Sequence, residues 1–432
     1  MKFYSIQDPS FSVSFEQATL MGQAPLRGLF FPESIPHYSA HAINHLLSLS
    51  REELAFEVMY PYVSASIPDN VLREIVLDTI DFPTPLVEVN STISALELFH
   101  GPTWAFKDVG ARFMSRCLGY FYRHHQGKTT VLVATSGDTG GAVANGFLDV
   151  EGVEVIILYP KGKVSPVQEL QLTTCGKNIT ALAINGSFDD CQSMVKEAFM
   201  DTELIQHYQL TSANSINIAR WLPQQLYYFF ALQQWHKECD MPVVAVPSGN
   251  FGNIAAGLIA WRSGLPVAHF IAACNVNDAV ARFLQGETYA SRTSVPTISN
   301  AMDVGDPSNF IRILELFDQD TSSVRKMITG YSISDAATTA CIQRVYETNR
   351  YLLDPHGAVA FQALENYISA HAGQKGIFLA TAHPVKFPDV IKKTLGFDPL
   401  LPDAAKELFS KKPISIDMEP IYSHLKSWLL NR

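Results

Sequence analysis

From about residue 80 onward the chain alternates short apolar runs with longer stretches of helical periodicity. The runs TTVLVAT (129–135), VEVIILY (153–159), NITALAI (178–184), PVVAVPS (242–248), VAHFIAA (267–273) and GIFLATA (376–382) are of strand length and rich in β-branched residues. Each gives way to glycine or polar residues and then to a helix-like stretch. Strands without polar alternation are buried on both faces, so the pattern predicts parallel strands joined by crossover helices in open α/β sheets. Ligands in such folds sit beyond the carboxyl ends of the strands. Chemistry is therefore expected where the runs end.

The first 80 residues follow another pattern. SAHAINHLLSLS (39–50) and PDNVLREIVLDTI (68–80) have helical spacing, no clear strand alternation accompanies them, and Pro83 and Pro85 break the pattern. Residues 1–85 are thus expected to form a separate, mostly helical N-terminal region. After about residue 400, PDAAKELFSKK and IYSHLKSWLLN predict two amphipathic helices in a tail covering 401–432. No internal repeat or low-complexity segment interrupts the chain.

A length of 432 residues with 47% hydrophobic and 17% charged residues suits two or three globular domains with a large core. The net charge of -10 disfavours a nucleic-acid or anionic-membrane partner, since either wants a basic face. An anionic small ligand must then be held by local donors. Cys117, Cys175, Cys191, Cys239, Cys274 and Cys341 are scattered, with no C-x-x-C pair and no histidine at zinc spacing, so no metal is expected. Buried thiols in a cytoplasmic protein are the plain expectation. The opening MKFYSIQDPSFSVSF has no apolar h-region, and no run of about 18 apolar residues occurs.

Four stretches carry candidate chemistry. In HGPTWAFKDVGARF (100–113), Lys107 stands behind Gly, Pro, Trp and Phe at a helix start. The ammonium gains nothing from the first turn of a helix, which favours Asp108. Lys107 is either a surface lysine snorkelling over Trp104 and Phe106, or an amine whose pKa desolvation lowers until it serves as a nucleophile. SGNFGNIAAGL (248–258) places Gly249 and Gly252 around a tight turn into a small-residue helix. Such a turn is either a bare strand-to-helix connection or a phosphate cradle built from backbone amides. SGDTGGAVANG (136–146) offers the amides and hydroxyls of Ser136, Gly137, Asp138 and Thr139 to a carboxylate, or uses Ser136 or Asp138 merely as a helix cap. TAHP (381–384) puts the Thr381 hydroxyl where it can bond a neutral ring nitrogen. Together these features predict a pyridoxal phosphate cofactor held covalently by Lys107.

The same stretches resemble one family. FKDVGARF, ATSGDTGGA, TSANSINIARW (211–221), PSGNFGNIAAGL, SNAMDVGDPSNF (299–310), LLDPHGAVA (352–360) and the opening SFEQATLMGQAPLRGLFFPESIP are similar to threonine synthases, in order, from about residue 14 to 387. The resemblance implies a fold-type II pyridoxal-phosphate enzyme, like the tryptophan synthase β-subunit. That means two open parallel α/β domains with the cofactor between them, within residues 86–400, the smaller lobe at roughly 105–210. It implies conversion of O-phospho-L-homoserine and water to L-threonine and phosphate, by a monomer or homodimer with no nucleic-acid or membrane partner. By position, Lys107 holds the cofactor, and Gly249, Asn250, Phe251, Gly252 and Asn253 surround its phosphate. Asp138 lies near its ring hydroxyl, where many relatives have asparagine, and Thr381 meets the pyridine nitrogen. Ser136, Gly137 and Thr139 resemble the substrate-carboxylate loop, and Ser212, Asn214, Ser215, Asn217 and Arg220 the part that accepts the substrate phosphate. Arg112 and Lys386 are further candidates for that phosphate, and His356 and His383 are either ligands or structural residues. In APLRGLFF this chain has Leu26 and Arg27 where relatives often carry an acidic residue and an extra glycine.

Other functions fit part of the pattern. A phospholyase releasing phosphate, ammonia and 2-oxobutyrate would use the same cofactor, and a catalytically silent binding protein could keep the fold. A nucleotide-binding oxidoreductase lacks the ribose-binding acidic residue after a G-x-G-x-x-G turn.

Overall fold

The structure, a computed structural model, describes residues 1–123, 128–235 and 240–432. Contacts divide the chain into two units, one of residues 31–106 and 221–399 and the other of residues 2–30, 107–220 and 400–432.

The first unit is built on a six-stranded sheet in the order Ile328–Ser332, His269–Cys274, Val243–Pro247, Gly376–Ala380, Ile93–Glu97, Leu86–Glu88. All neighbours are parallel except the last pair, which forms an antiparallel edge. The runs at 242–248, 267–273 and 376–382 are strands here. Their side chains are almost wholly buried, because helices such as Pro355–Ala370 and Gly252–Arg262 cover the sheet. One core cluster joins Ala245, Ile271, Phe378 and Ala95 of the sheet with Val359, Phe361 and Leu364 of the 355–370 helix. The Val243–Pro247 strand lies between Gly376–Ala380 and His269–Cys274, although 376–380 comes last of the three in the chain. Neighbouring strands whose connections depart in opposite directions leave a crevice at their carboxyl ends, and such a reversal marks a ligand site in open α/β sheets.

In the second unit five parallel strands run in the order Ile416–Met418, Ile179–Ile184, Val153–Pro160, Thr129–Ala134, Gln209–Thr211. The runs at 129–135, 153–159 and 178–184 form its centre, and two three-residue strands form its edges. The tail holds the expected helices at Asp403–Ser410 and Tyr422–Leu430, with the edge strand Ile416–Met418 between them.

The N-terminal 85 residues divide over both units. The helices Ala40–Leu46, Arg51–Val63 and Asp69–Thr79 belong to the first unit. Residues 2–30 belong to the second and open with two strands that the sequence pattern did not reveal, Lys2–Ser5 paired antiparallel with Asp8–Ser14. The reason is Phe15, fully buried with its ring edge-on to Phe113 and Phe121 of the helix Lys107–Tyr122. Burying an aromatic ring contributes roughly 1.5–3 kcal/mol, enough to tie a short segment to its neighbour.

Candidate active site

Lys107 is the first residue of the helix Lys107–Tyr122 and is half-buried, with Asp108 beneath it at 1% exposure. The chain that delivers it is fixed rather than loose. Phe106 donates its N–H to Thr381 O at 2.9 Å, and Ala105 bridges Ala382 in antiparallel fashion. His383 N–H bonds Trp104 O, Lys386 Nζ bonds Thr103 O at 3.0 Å, and Tyr227 donates its hydroxyl to Phe106 O. The residue before Lys107 is thus hydrogen-bonded to Thr381, which follows the Gly376–Ala380 strand. Trp104 bends the approach with φ of 56°, a left-handed conformation that costs on the order of 1 kcal/mol outside glycine.

Lys386 and His383 thereby acquire structural roles. Lys386 is fully buried, and burying a lysine is costly unless its ammonium has partners. His383 accepts the Val385 N–H through Nδ1 at 3.1 Å, caps the short helix Pro384–Lys386, and lies edge-on to Phe99. Burial, with His100 nearby, pushes its pKa down to about 4, which keeps the ring neutral. His356 is likewise held at both ring nitrogens. Its Nδ1 bonds Asp354 at 2.7 Å and its Nε2 accepts the Ala301 N–H at 3.2 Å, with both side chains buried. A histidine that accepts at Nε2 donates at Nδ1, so this geometry selects one neutral tautomer.

The glycine turn follows the Val243–Pro247 strand and enters the helix Gly252–Arg262. A Cβ on Gly249 would lie 2.7 Å from Met302 Cα and 3.0 Å from Ala301 O, so backbone passes too close for any side chain. Phe251 adopts φ of 61° as the N-cap, and no side chain caps the helix. The Asn253 carboxamide closes the turn on Pro247 O at 2.7 Å, while Asn250 Oδ1 accepts the Ser308 N–H at 2.7 Å. An uncapped helix start behind a turn where backbone replaces side chains is the geometry that receives a phosphate dianion, and the residues present fit the cofactor's phosphate. The turn and Thr381 stand beyond the carboxyl ends of adjacent strands.

In the second unit the segments 136–139 and 212–220 also follow adjacent strands, Thr129–Ala134 and Gln209–Thr211. Neither Ser136 nor Asp138 is the cap of the helix Asp138–Phe147. Gly137 is the N-cap, and the hydroxyl of Thr135 accepts the N–H groups of Gly137 and Gly140 at 2.9 and 2.8 Å. Capping from two residues before the N-cap is read from no N-cap pattern, because Thr135 is also the last apolar-run position. Asp138 is buried and accepts from Gln168 Nε2 at 2.9 Å. That same Gln168 fills the space a Cβ on Gly137 would need, at 2.4 Å, and Gly137 has φ of 133°. Ser136 and Thr139 are half-buried.

In the 212–220 segment Asn217 is fully buried, donates to Thr19 O and Ser212 O, and accepts from Ala219 N–H. Arg220 Nη1 bonds Ala213 O at 2.8 Å. Gly110, one turn into the Lys107 helix, lies where a Cβ would meet Arg220 O at 2.6 Å. The glycine therefore brings Arg220 against that helix. Ser212, at 4% exposure, accepts the Asn214 N–H, and Asn214, Ser215 and Arg112 are half-buried.

Residues 77–381 match the family of pyridoxal-phosphate dependent enzymes, and residues 2–80 and 357–427 match families described as threonine synthase N terminus and threonine synthase C-terminal. The chain is 44% identical over 431 residues to threonine synthase of Haemophilus influenzae, covering 100% of both. It superposes on the crystal structure of Escherichia coli threonine synthase with a TM-score of 0.94, at 41% identity and full coverage of both chains. The pyridoxal-phosphate-bound threonine synthase of Brucella melitensis gives 0.92 at 34% identity, covering 100% of this chain and 99% of that one.

The chain belongs to the threonine synthase family.

Threonine synthases of this kind are fold-type II pyridoxal-phosphate enzymes, and the parallel sheets described above are that fold. No helix among the described residues is long and apolar enough to cross a membrane. Of the six cysteines, Cys239 lies outside the described residues; the other five are free thiols, and burial pushes Cys191, Cys274 and Cys341 up to about 12. Sequence reasoning did not single out four residues that brace these turns: Thr135, which accepts the Gly137 and Gly140 N–H groups, Gln168, which donates to Asp138, Asn309, which donates to Asn250 O, and Arg312, which donates to Asn309.

Proposed function

We propose that this chain converts O-phospho-L-homoserine and water to L-threonine and phosphate, with Lys107 as the residue that holds the cofactor and moves the protons. Pyridoxal phosphate supplies a conjugated system that accepts the electron pair left when a carbon beside the substrate amine loses its proton. Lys107 would hold the cofactor, and its free amine would take a proton from the α-carbon and then from the β-carbon and return protons at the γ- and α-carbons. Gly249, Asn250, Phe251, Gly252 and Asn253 hold the cofactor phosphate through backbone amides. Thr381 would bond the pyridine nitrogen without protonating it, and Asp138, which accepts from Gln168, would face the ring hydroxyl.

Ser136, Gly137 and Thr139 receive the substrate carboxylate on amides and hydroxyls. Ser212, Asn214, Ser215 and Arg220 receive the substrate phosphate as it departs, and Asn217 shapes that segment from within. Water then adds at the β-carbon. The reading includes a reducing, cytoplasmic setting, which the free thiols support.

The observation that carries this reading is the hydrogen bond from Phe106 N–H to Thr381 O, which ties the position before Lys107 to a strand end beside the glycine turn. Borohydride reduction of the cofactor-loaded protein, followed by peptide mapping, is expected to label Lys107; a label elsewhere, or none, overturns the assignment. With O-phospho-L-homoserine the product is expected to be threonine. Accumulation of 2-oxobutyrate and ammonia would instead establish the phospholyase reaction.

A further inference from the structure

Beside the glycine turn lies a guanidinium whose position the proposed chemistry does not use. Arg312, in the helix Phe310–Leu316, is 0% exposed, with its guanidinium carbon over the Trp221 ring at 4.2 Å from the centroid. Its Nη1 donates to Asn309 Oδ1 at 2.7 Å. Asn309, also 0% exposed, donates Nδ2 and its backbone N–H to Asn250 O at 3.1 and 3.3 Å. With Ser308 N–H on Asn250 Oδ1, the 308–312 segment grips both the backbone and the side chain of Asn250.

We infer that Arg312 is a positioning residue for the cofactor phosphate, acting through Asn309 on the peptide between Asn250 and Phe251. The inference rests on the reading of the 249–253 turn as the phosphate holder. Two effects support it. The peptide whose oxygen accepts from Asn309 carries the Phe251 N–H at its other end. Hydrogen bonds on a carbonyl polarise the amide, so the charge-assisted bond from Arg312 to Asn309 passes on as a stronger N–H donor. Charge is the second effect. Placing a guanidinium in an apolar setting is costly, and burial here lowers the Arg312 pKa to about 9, so it stays a cation at neutral pH. A phosphate on the turn offsets part of that cost, and it gains a local cation within a protein of net charge -10.

The role predicts an effect confined to the phosphate. Full-length apoprotein is titrated with pyridoxal phosphate and with pyridoxal, which has the same aldehyde and no phosphate. Arg312→Met is expected to cut the preference for pyridoxal phosphate by about tenfold or more, with pyridoxal affinity little changed, and Arg312→Lys to restore part of it. Asn309→Ala severs the link without removing the charge and is expected to act in the same direction; it decides the matter if Arg312→Met does not fold. A residue that merely braced the fold would weaken both ligands alike. An undiminished preference in folded Asn309→Ala or Arg312→Met overturns the inference. Gly249→Ala separates the two levels. If it abolishes the preference while the Arg312 and Asn309 variants keep it, the relay fails and the phosphate turn stands. If Gly249→Ala also keeps it, the turn is not the phosphate holder and both fall.

Discussion

At the level of single residues, the loop ahead of the helix Asp138–Phe147 depends on two small choices. Thr135 satisfies two buried amides, so Thr135→Val, which keeps the shape and removes the acceptor, is expected to cost about 1–3 kcal/mol of stability in urea titration. Gly137 has a conformation and a neighbour that exclude any side chain. Gly137→Ala is expected to cost about 1–3 kcal/mol through overpacking against Gln168, and to lower kcat/KM because the loop must move. A Gly137→Ala enzyme with wild-type stability and kinetics would contradict this account. The glycines and hydroxyls of that loop stand out in the sequence. The partner Gln168 does not, since its use arises only when a residue 30 positions away folds onto Asp138.

At the level of elements, the path into Lys107 is held by the segment after the last strand of its sheet. Lys386 bonds Thr103 O, and Tyr227 bonds Phe106 O. Lys386→Met is expected to lower kcat by about tenfold, a loss of roughly 1.4 kcal/mol of positioning, while Lys107 is still labelled by borohydride. Unchanged kcat would show that this clamp does not orient the amine. The turn 25–27 is a second element under strain, with Leu26 and Arg27 at φ of 56° and 62°. Glycine carries no penalty there, so Leu26→Gly is expected to raise the melting temperature slightly despite greater freedom in the unfolded chain, because a left-handed leucine costs roughly 1–2 kcal/mol. Most central strands were legible because sheets covered on both faces leave unbroken apolar runs, whereas the interior strand Ile93–Glu97, interrupted by Ser94 and ended by Glu97, was not read. Gln209–Thr211, Ile328–Ser332 and Ile416–Met418 are edge strands, short or partly polar, with too little apolar signal to be read.

At the level of the whole molecule, stability is linked to protons and to the cofactor. Burial holds the pKa values of His269 and His383 at about 4, below the ordinary value of 6.5. The unfolded chain binds protons at these sites that the folded chain refuses. Stability is thus full above about pH 6.5 and declines as pH falls toward 4. His269→Gln is expected to flatten that decline in denaturation measured across this range, and an unaltered slope would show that the ring titrates normally. Pyridoxal phosphate binds the folded state alone, so saturation at a hundred times its Kd is expected to add about 2.7 kcal/mol and to raise the melting temperature. What the sequence by itself determined is where most of the buried strands lie along the chain and which glycine and hydroxyl turns end them, because periodicity and turn composition are local properties. It also determined the family, through motifs spread along the chain. Tertiary structure alone decided that residues 2–30 fold with 107–220, that Thr381 meets the approach to Lys107, that His356 accepts from Ala301 and that Lys386 bonds Thr103 O. It alone linked Arg312, through Asn309, to the glycine turn at Asn250. These depend on which distant groups satisfy one another's hydrogen bonds once water is excluded, and no local pattern encodes such a pairing.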